Sequence, residues 1–339
     1  MPDSTNLFLL DRVGLICCAG LMGEKGMTIE IQTDQKAQRW SGRVDGSAVQ
    51  HLRWHQQIAA QNSQNLNDAV ALIGFRSDAG VQRNQGRIGA SDGPAALRAA
   101  LSPMAIHKQR AMVDLGDVVV EGDELESGQE SLANAVAQTL GTGALPIVLG
   151  GGHETAYGTG LGLLQHLADD HSTRIGILNL DAHFDLRDEG QRTSGTPFLD
   201  LHQEMQEQGL EFHYAVLGIS RPGNTAALFA RADELGVPYL LDERCEPEQI
   251  SRFVAAFLER IDVLYLTIDL DVLPASVAPG VSAPAGFGVP FERILAACRQ
   301  VVASGKLAVA DVVELNPRYD VDSRTARSAA RLIYEIALG

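Results

Sequence analysis

From Ala69 onward the chain alternates short apolar runs with longer amphipathic stretches. Runs of strand length fall at 69–75, 112–120, 145–149, 174–180, 214–219, 237–241, 263–270 and 307–315. Between them, segments 93–101, 131–140, 155–168, 225–235, 247–261, 290–302 and 323–337 repeat apolar residues at helical spacing. This alternation predicts an α/β fold in three layers, a mostly parallel, eight-stranded sheet with helices on both faces. The strands are apolar almost without interruption, as they must be when both faces are buried. An open sheet is preferred to a closed eight-stranded barrel, because the connections vary in length and no phosphate-binding loop pattern is present. Residues 1 to about 65 are polar and weakly periodic, with one short helix expected around 48–60.

Chemistry gathers where the strands end. The apolar run Ile175-Gly176-Ile177-Leu178 leads into Asp181, His183 and Asp185 at alternate positions, and a strand sends alternate side chains to one face. The run 263–268 ends in Asp269-Leu270-Asp271, and 145–149 ends in Gly150-Gly151-Gly152-His153. Taken singly, an Asp-x-Asp after a strand reads as a turn or helix cap, and a glycine triplet with one histidine reads as a tight turn. The Asp-x-His-x-Asp triplet is harder to explain that way, since desolvating three ionisable groups on one face carries a cost that a cation would offset. Pooled, the segments supply four carboxylates and two imidazoles. One divalent ion rarely takes six protein ligands and still leaves room for chemistry, whereas two ions bridged by carboxylates and a water do so readily. In open parallel sheets the ligand crevice lies beyond the carboxyl ends of the strands, where all these residues fall.

Composition narrows the partners. With 339 residues, 45% hydrophobic and 21% charged, the chain can bury one large core and lies at the upper end for a single domain. A formal charge of −16 with no Lys/Arg cluster argues against nucleic acid and leaves a small molecule as the expected partner. Cys17, Cys18, Cys245 and Cys298 are few and irregularly placed, which suits reduced thiols in cytoplasm better than a disulfide framework. No apolar stretch reaches the roughly 20 residues needed to span a bilayer, so no membrane partner is expected. Segments 7–10 and 13–22 are mildly apolar but lack a basic start and are interrupted by Asp11, with Asp3 ahead of them. Met27 is the preferred true start, leaving residues 1–26 as an over-called leader.

With Val312-Val313-Glu314-Leu315-Asn316-Pro317 added to the three ligand segments, the chain resembles the ureohydrolases, the superfamily of arginases and agmatinases, which are binuclear manganese hydrolases. In that superfamily the matching glutamate holds the amidine-type group of the substrate; without the resemblance, Glu314 ahead of Asn-Pro would read as a helix-start signal. Further stretches sharpen the likeness: 74–78, 80–90, 93–94, 150–154, 181–187, 194–198, and Ser220-Arg221 with Asn224-Thr225. They resemble the branch that hydrolyses N-formimidoyl-L-glutamate to L-glutamate and formamide in histidine degradation. The likeness runs from about residue 40 to the last helix, so 40–339 is taken as the ureohydrolase domain and 1–39 as an N-terminal arm.

The resemblance implies an arginase-like fold, two Mn²⁺ ions per subunit, and a cytoplasmic homo-oligomer, trimeric or hexameric. It implies that His153, Asp181, Asp185 and Asp269 hold one ion and that Asp181, His183, Asp269 and Asp271 hold the other, with a hydroxide bridging the two as nucleophile. Asp185 and Glu314 then carry the catalytic roles, Asp185 on the water's proton and Glu314 on the amidine. Oxygen-rich ligation with one imidazole per ion suits manganese better than zinc.

Departures from the arginase pattern bear on the substrate. Arginases and agmatinases usually place Asp before the first histidine ligand; here Gly152 stands there and Glu154 follows. Their proton-shuttling histidine lies on the loop after the Asp-x-His-x-Asp strand, where Ser194 matches a substrate-contacting serine and Phe198 takes the shuttle position. Arginase turns an aspartate toward the substrate's α-amino group, and the corresponding strand end here reads Gly218-Ile219-Ser220-Arg221. Formimidoylglutamate has no free α-amino group but carries two carboxylates, which arginine binds through paired hydrogen bonds. Because a chain at −16 repels a dianion, a local group of arginines is expected to receive it. Arg83, Arg187 and Arg221 are the candidates, with Asn84 and Ser194 beside them; Arg87 is read as a capping arginine. The nearest alternative is another ureohydrolase acting on a guanidino acid, arginine or agmatine. A catalytically idle metal-binding member, or a deacetylase using one zinc on a related fold, fits the full ligand set less well.

Overall fold

A computed structural model of the protein describes residues 31–37, 39–60 and 66–339. Its strands are β1 (Ala59–Ala60), β2 (Val70–Arg76), β3 (Met112–Val119), β4 (Leu145–Leu149), β5 (Ile175–Leu180), β6 (His213–Ile219), β7 (Tyr239–Leu241), β8 (Val263–Asp269) and β9 (Leu307–Val313). Each of the eight expected strands is present, and the two-residue β1 adds a ninth at one edge. The order is β1-β3-β2-β4-β9-β8-β5-β6-β7, and every pairing between these strands is parallel, which sharpens the expected "mostly parallel".

The helices are α1 (Trp54–Gln57), α2 (Ala79–Arg83), α3 (Gly93–Leu101), α4 (Leu125–Gly141), α5 (Thr155–His166), α6 (Pro197–Glu207), α7 (Ala226–Glu234), α8 (Pro247–Leu258), α9 (Phe291–Ala303) and α10 (Arg324–Leu338). Right-handed crossovers place helices on one face when the chain steps toward one edge, and on the other face when it steps back. Steps from β3 through β7 all run one way, and the helices between them, α4 to α7, share one apolar layer with residues such as Leu132, Leu163, Leu201 and Leu228. Steps from β7 back to β9 run the other way, and α8 and α9 pack with α10 and α3 in the second layer.

This winding decides where the site lies. Going from β4 to β5 the chain leaves room for two strands, which β8 and β9 fill on its return. Consequently β4, β9, β8 and β5 are consecutive neighbours at the centre of the sheet, and all four strand ends named from the sequence open on one crevice.

Three details differ from expectation. Residues 31–37 were assigned to the arm, yet they run beside β3: Gln35 and Asp117 exchange backbone hydrogen bonds at 3.0 and 2.8 Å, and Ile31 is buried. The helix expected around 48–60 is reduced to a 3-10 turn at Val49–His51 and the single turn α1, after which the chain joins the sheet as β1. Helix α6 has no counterpart among the expected elements; its apolar face, Phe198, Leu199, Leu201 and Met205, is buried behind a Gly-Thr-Pro stretch that reads as loop. The leader reading of residues 1–26 lies outside the described residues. Among those described, no helix is long and apolar enough to cross a membrane.

Candidate metal centre

At the end of β5 the backbone makes a tight turn in which the Asp181 carboxylate accepts the amide of His183 at 2.7 Å. The end of β8 repeats the device, with the Asp269 carboxylate accepting the amide of Asp271 at 2.8 Å. In both motifs the first carboxylate shapes the turn that brings the next ligand round, the local logic of an Asx turn. The glycines after β4 serve a different need: a Cβ on Gly151 would lie 1.9 Å from the Ser77 carbonyl oxygen, so the chain passes there only without a side chain.

The six ligand candidates converge. His153 Nδ1 lies 3.2 Å from Asp181 Oδ2, 2.8 Å from Asp185 Oδ2 and 3.2 Å from Asp269 Oδ2. His183 Nδ1 lies 2.9 Å from Asp271 Oδ2 and 3.5 Å from Asp181 Oδ1. Among the described residues these form two overlapping groups of metal-type donors, His153 with Asp181 and Asp269, and Asp181 with His183 and Asp271. Asp181 belongs to both.

The surroundings test whether cations fit. One ring nitrogen can donate to a single acceptor, yet three carboxylates crowd His153 Nδ1, while its Nε2 sits 3.0 Å from the Thr267 hydroxyl. Burial, with the neighbouring Asp271 and Asp181, pushes the Asp269 carboxyl well up. Burial likewise raises Asp185, next to Asp181, and pushes Asp271 up to about 6 against the pull of His183. Burial works against both imidazolium forms, but the carboxylates around His153 and His183 outweigh it and raise their pKa values. Asp181 is also buried, but hydrogen bonds from both imidazoles hold its carboxyl below the usual range. Negative charge packed this closely in a dry site calls for a cation, and the donor set fits two divalent ions.

Asp185 (φ 47°) and Glu314 (φ 68°) both hold a left-handed backbone, at a cost of about 1–3 kcal/mol for a non-glycine residue. At Glu314 that bend leaves the β9 direction and turns the carboxylate over the centre, where it accepts the His153 amide at 2.8 Å and the Ser282 hydroxyl. Burial, opposed by Ser282 and reinforced by Glu154, pushes its pKa up to about 7.

A cavity of about 220 Å³ opens over these groups, lined by five of the six ligand candidates, Asp181 lying beneath them, and by Asn84, Arg187, Ser194, Asn224, Ser282 and Glu314, among others. Asn84 Nδ2 donates to Ser194 Oγ at 3.0 Å. Arg187, half exposed at the mouth, reaches Glu189 at only 3.4 Å and is otherwise available. Arg221 is exposed at the start of the 3-10 turn Arg221–Gly223, whose Gly223 lines the cavity, but its own side chain is not part of that lining.

Arg83 is where the sequence reading needs correcting. Its guanidinium is consumed by Asp123 at 2.7 Å, Glu126 at 2.7 Å and the Arg192 carbonyl at 3.0 Å, and Arg83 is not part of the cavity lining. Arg87 clasps the carbonyls of Val281 and Ser282 and lies over the Tyr319 ring, in keeping with a structural reading. Phe198 is buried in the first turn of α6, edge-on to His153 at 5.4 Å and stacked on Tyr214 at 4.5 Å.

Sequence reasoning missed Thr267, Asn224 and Ser282. Asn224 accepts the Phe184 amide at 3.1 Å and donates to the Ala182 carbonyl at 2.9 Å, stapling the ligand turn to the end of β6. The position of Thr267, two residues before Asp269 on β8 and so on the same face, was the available signal for it.

Comparison with known proteins agrees with this geometry. The Arginase family model matches residues 68–339. The formimidoylglutamase of Nocardia farcinica is 55% identical over 300 residues, covering 88% of this chain and 96% of its own length. That of Ralstonia nicotianae is 51% identical over 307 residues, covering 88% and 94%. Among solved structures, formimidoylglutamase from Bacillus subtilis superposes with a TM-score of 0.76 at 24% identity, over 84% of this chain and 91% of that one, a likeness of fold. Trypanosoma cruzi formiminoglutamase, solved with Mn²⁺, gives 0.73 at 25% identity, over 82% and 95%.

Proposed function

The chain belongs to the arginase family, and from that premise we propose that it hydrolyses N-formimidoyl-L-glutamate to L-glutamate and formamide, using two Mn²⁺ ions per subunit. One observation carries the choice of substrate. Among the described residues that line the cavity, every carboxylate is either a metal-type ligand or Glu314, which leaves none at the rim to meet a free α-amino group. A substrate whose α-nitrogen is blocked by the formimidoyl unit needs no such partner; arginine and agmatine both present an ammonium. The 55% identity to a formimidoylglutamase supports the same reading.

His153, Asp181, Asp185 and Asp269 would hold one ion, and Asp181, His183, Asp269 and Asp271 the other. When bound, such a pair supplies Lewis acidity and a water acidic enough to lose its proton near neutral pH. Asp185 orients that water and accepts its proton as oxygen attacks the formimidoyl carbon. Glu314, above the centre, pairs with the cationic amidine nitrogens and keeps the carbon electrophilic. The bond from carbon to the glutamate nitrogen then breaks, and Asp185 returns its proton to that nitrogen. No shuttle histidine is required, in keeping with Phe198 being packed beneath His153. Arg187 receives a substrate carboxylate at the mouth, with Asn84 and Ser194 beside it and Arg221 at the outer edge.

The deciding experiment offers the manganese-loaded protein formimidoylglutamate, arginine and agmatine in parallel and measures formamide and urea. Formamide from the first substrate is expected; faster urea release from either of the others overturns the assignment. Replacing Arg187 by Ala should raise KM for formimidoylglutamate by roughly tenfold, the worth of one charge-assisted contact. Arg83→Ala should raise KM less than Arg187→Ala does, because that guanidinium is occupied by Asp123 and Glu126 and only tethers α2.

A further inference from the structure

Glu154 is fully buried and takes no part in the cavity lining. One of its carboxylate oxygens accepts the Ser77 hydroxyl at 2.8 Å and the Gly80 amide at 3.0 Å; the other, Oε2, has no hydrogen-bond partner. Its backbone carbonyl accepts Gln129 Nε2 at 2.7 Å, so the residue is anchored from behind as well. A carboxyl kept in a dry interior is expensive unless it holds something. What it holds is the start of the segment that leads into the cavity: Gly80 opens α2 in its first turn, and Asn84, the residue capping α2, meets Ser194 there.

The surrounding glycines show that the space was cleared for this side chain. A Cβ on Gly152 would lie 2.1 Å from Glu154 Oε2, and one on Gly80 would lie 2.6 Å from the Glu154 Cβ. The two departures from the arginase pattern at this strand end therefore share one small space, closed on its other side by Val81, 2.3 Å from the same Gly152 Cβ position. With Glu at 154 folded back, no side chain fits at 152.

We propose that Glu154 is a positioning residue for substrate recognition, which through Ser77 and Gly80 fixes α2 and holds Asn84 against Ser194 on the substrate side of the centre. The proposal rests on the reading that Asn84 meets the substrate. It differs from a metal-binding role, because the carboxylate of Glu154 is spent on Ser77 and Gly80 and belongs to neither group of metal-type donors.

The test uses the manganese-loaded full chain and its variants Glu154→Ala, Glu154→Gln, Ser77→Ala and Asn84→Ala. Each is followed by KM and kcat for formimidoylglutamate, manganese content, and amide exchange of peptides covering 77–90. Glu154→Ala should raise KM by about tenfold, the loss expected for one or two net hydrogen bonds, with kcat and manganese content little changed. Exchange at 77–84 should quicken. Glu154→Gln keeps an oxygen acceptor for Ser77 and Gly80 and should remain near the parent in KM and exchange. Ser77→Ala, a milder change should Glu154→Ala fail to fold, should shift both readouts in the same direction by a smaller factor. Unaltered exchange in both Glu154→Ala and Ser77→Ala overturns the clamp, as does a KM change that merely follows lost manganese. An unchanged KM in Asn84→Ala overturns the underlying reading of Asn84 instead, so the two failures are read separately.

Discussion

His153 and His183 serve one centre from unequal positions. The His153 side chain is 1% exposed, faces three carboxylates and has its far nitrogen engaged by Thr267; that of His183 is 30% exposed, faces two carboxylates and turns its other edge to the cavity beside Gly223. The inner pole is built as the core is built, with its ring enclosed on all sides by protein. The outer pole is built as a binding site, with one side left open for a substrate. The difference predicts unequal ion affinities and unequal consequences when each pole is damaged, although both use the same ligand types.

Removing the ions should have the largest effect. Exhaustive chelation is expected to abolish activity, and its effect on stability should depend on pH. In the chelated protein Asp185, Asp269 and Asp271, the last at about 6, titrate above their unfolded values, so the stability they permit is present at low pH and lost as pH rises through those folded values. The raised imidazoles of His153 and His183 act in the same direction; Asp181 alone opposes them. Thermal scans of chelated protein should therefore show a lower Tm at about pH 8 than at about pH 5.5, with a smaller difference in the loaded enzyme. A chelated protein equally stable at both would break the picture of a centre whose charge must be neutralised.

Next in size are the histidines themselves. His153→Ala removes the imidazole that three buried carboxylates face, at roughly 3–5 kcal/mol, and should lower Tm as well as manganese content. His183→Ala should keep the fold and a Tm close to the parent, while manganese falls from about two ions per chain toward one. Equal losses in the two variants, by metal analysis and calorimetry, would erase the inner and outer distinction.

The same contrast explains what the chain made legible. Each of the six ligand candidates stands at fixed spacing past an apolar run, so strand periodicity alone aligns them, and the winding of β8 and β9 back between β4 and β5 makes the four strand ends adjacent. The rim follows no such period. Arg83 and Arg187 look alike in sequence, but only the structure shows that Asp123 and Glu126 on the neighbouring α4 segment capture the first, while the second stays at the mouth. Helix α6 and residues 31–37 escaped for a related reason: their places are set by tertiary partners, the α5 face and the β3 edge, rather than by local pattern.

The smallest of these effects probes how the inner pole is held. Thr267 precedes Asp269 by two residues on β8, so one strand face provides both a ligand candidate and the hydroxyl that meets the His153 ring arriving from β4. With Nε2–H donated to that hydroxyl, the ring is held in the tautomer that leaves Nδ1 free for an ion. Thr267→Val preserves shape but leaves a buried N–H without an acceptor, and outer partners of this kind typically change metal affinity by about 10–100-fold. Manganese titration of the chelated variant should show that loss at the tighter site only, with the weaker site unmoved, and Thr267→Ser should restore it. A shift at the weaker site, or none at either, would mean that carboxylates alone orient His153. The asymmetry between the poles would then come from exposure and not from the hydroxyl behind the ring.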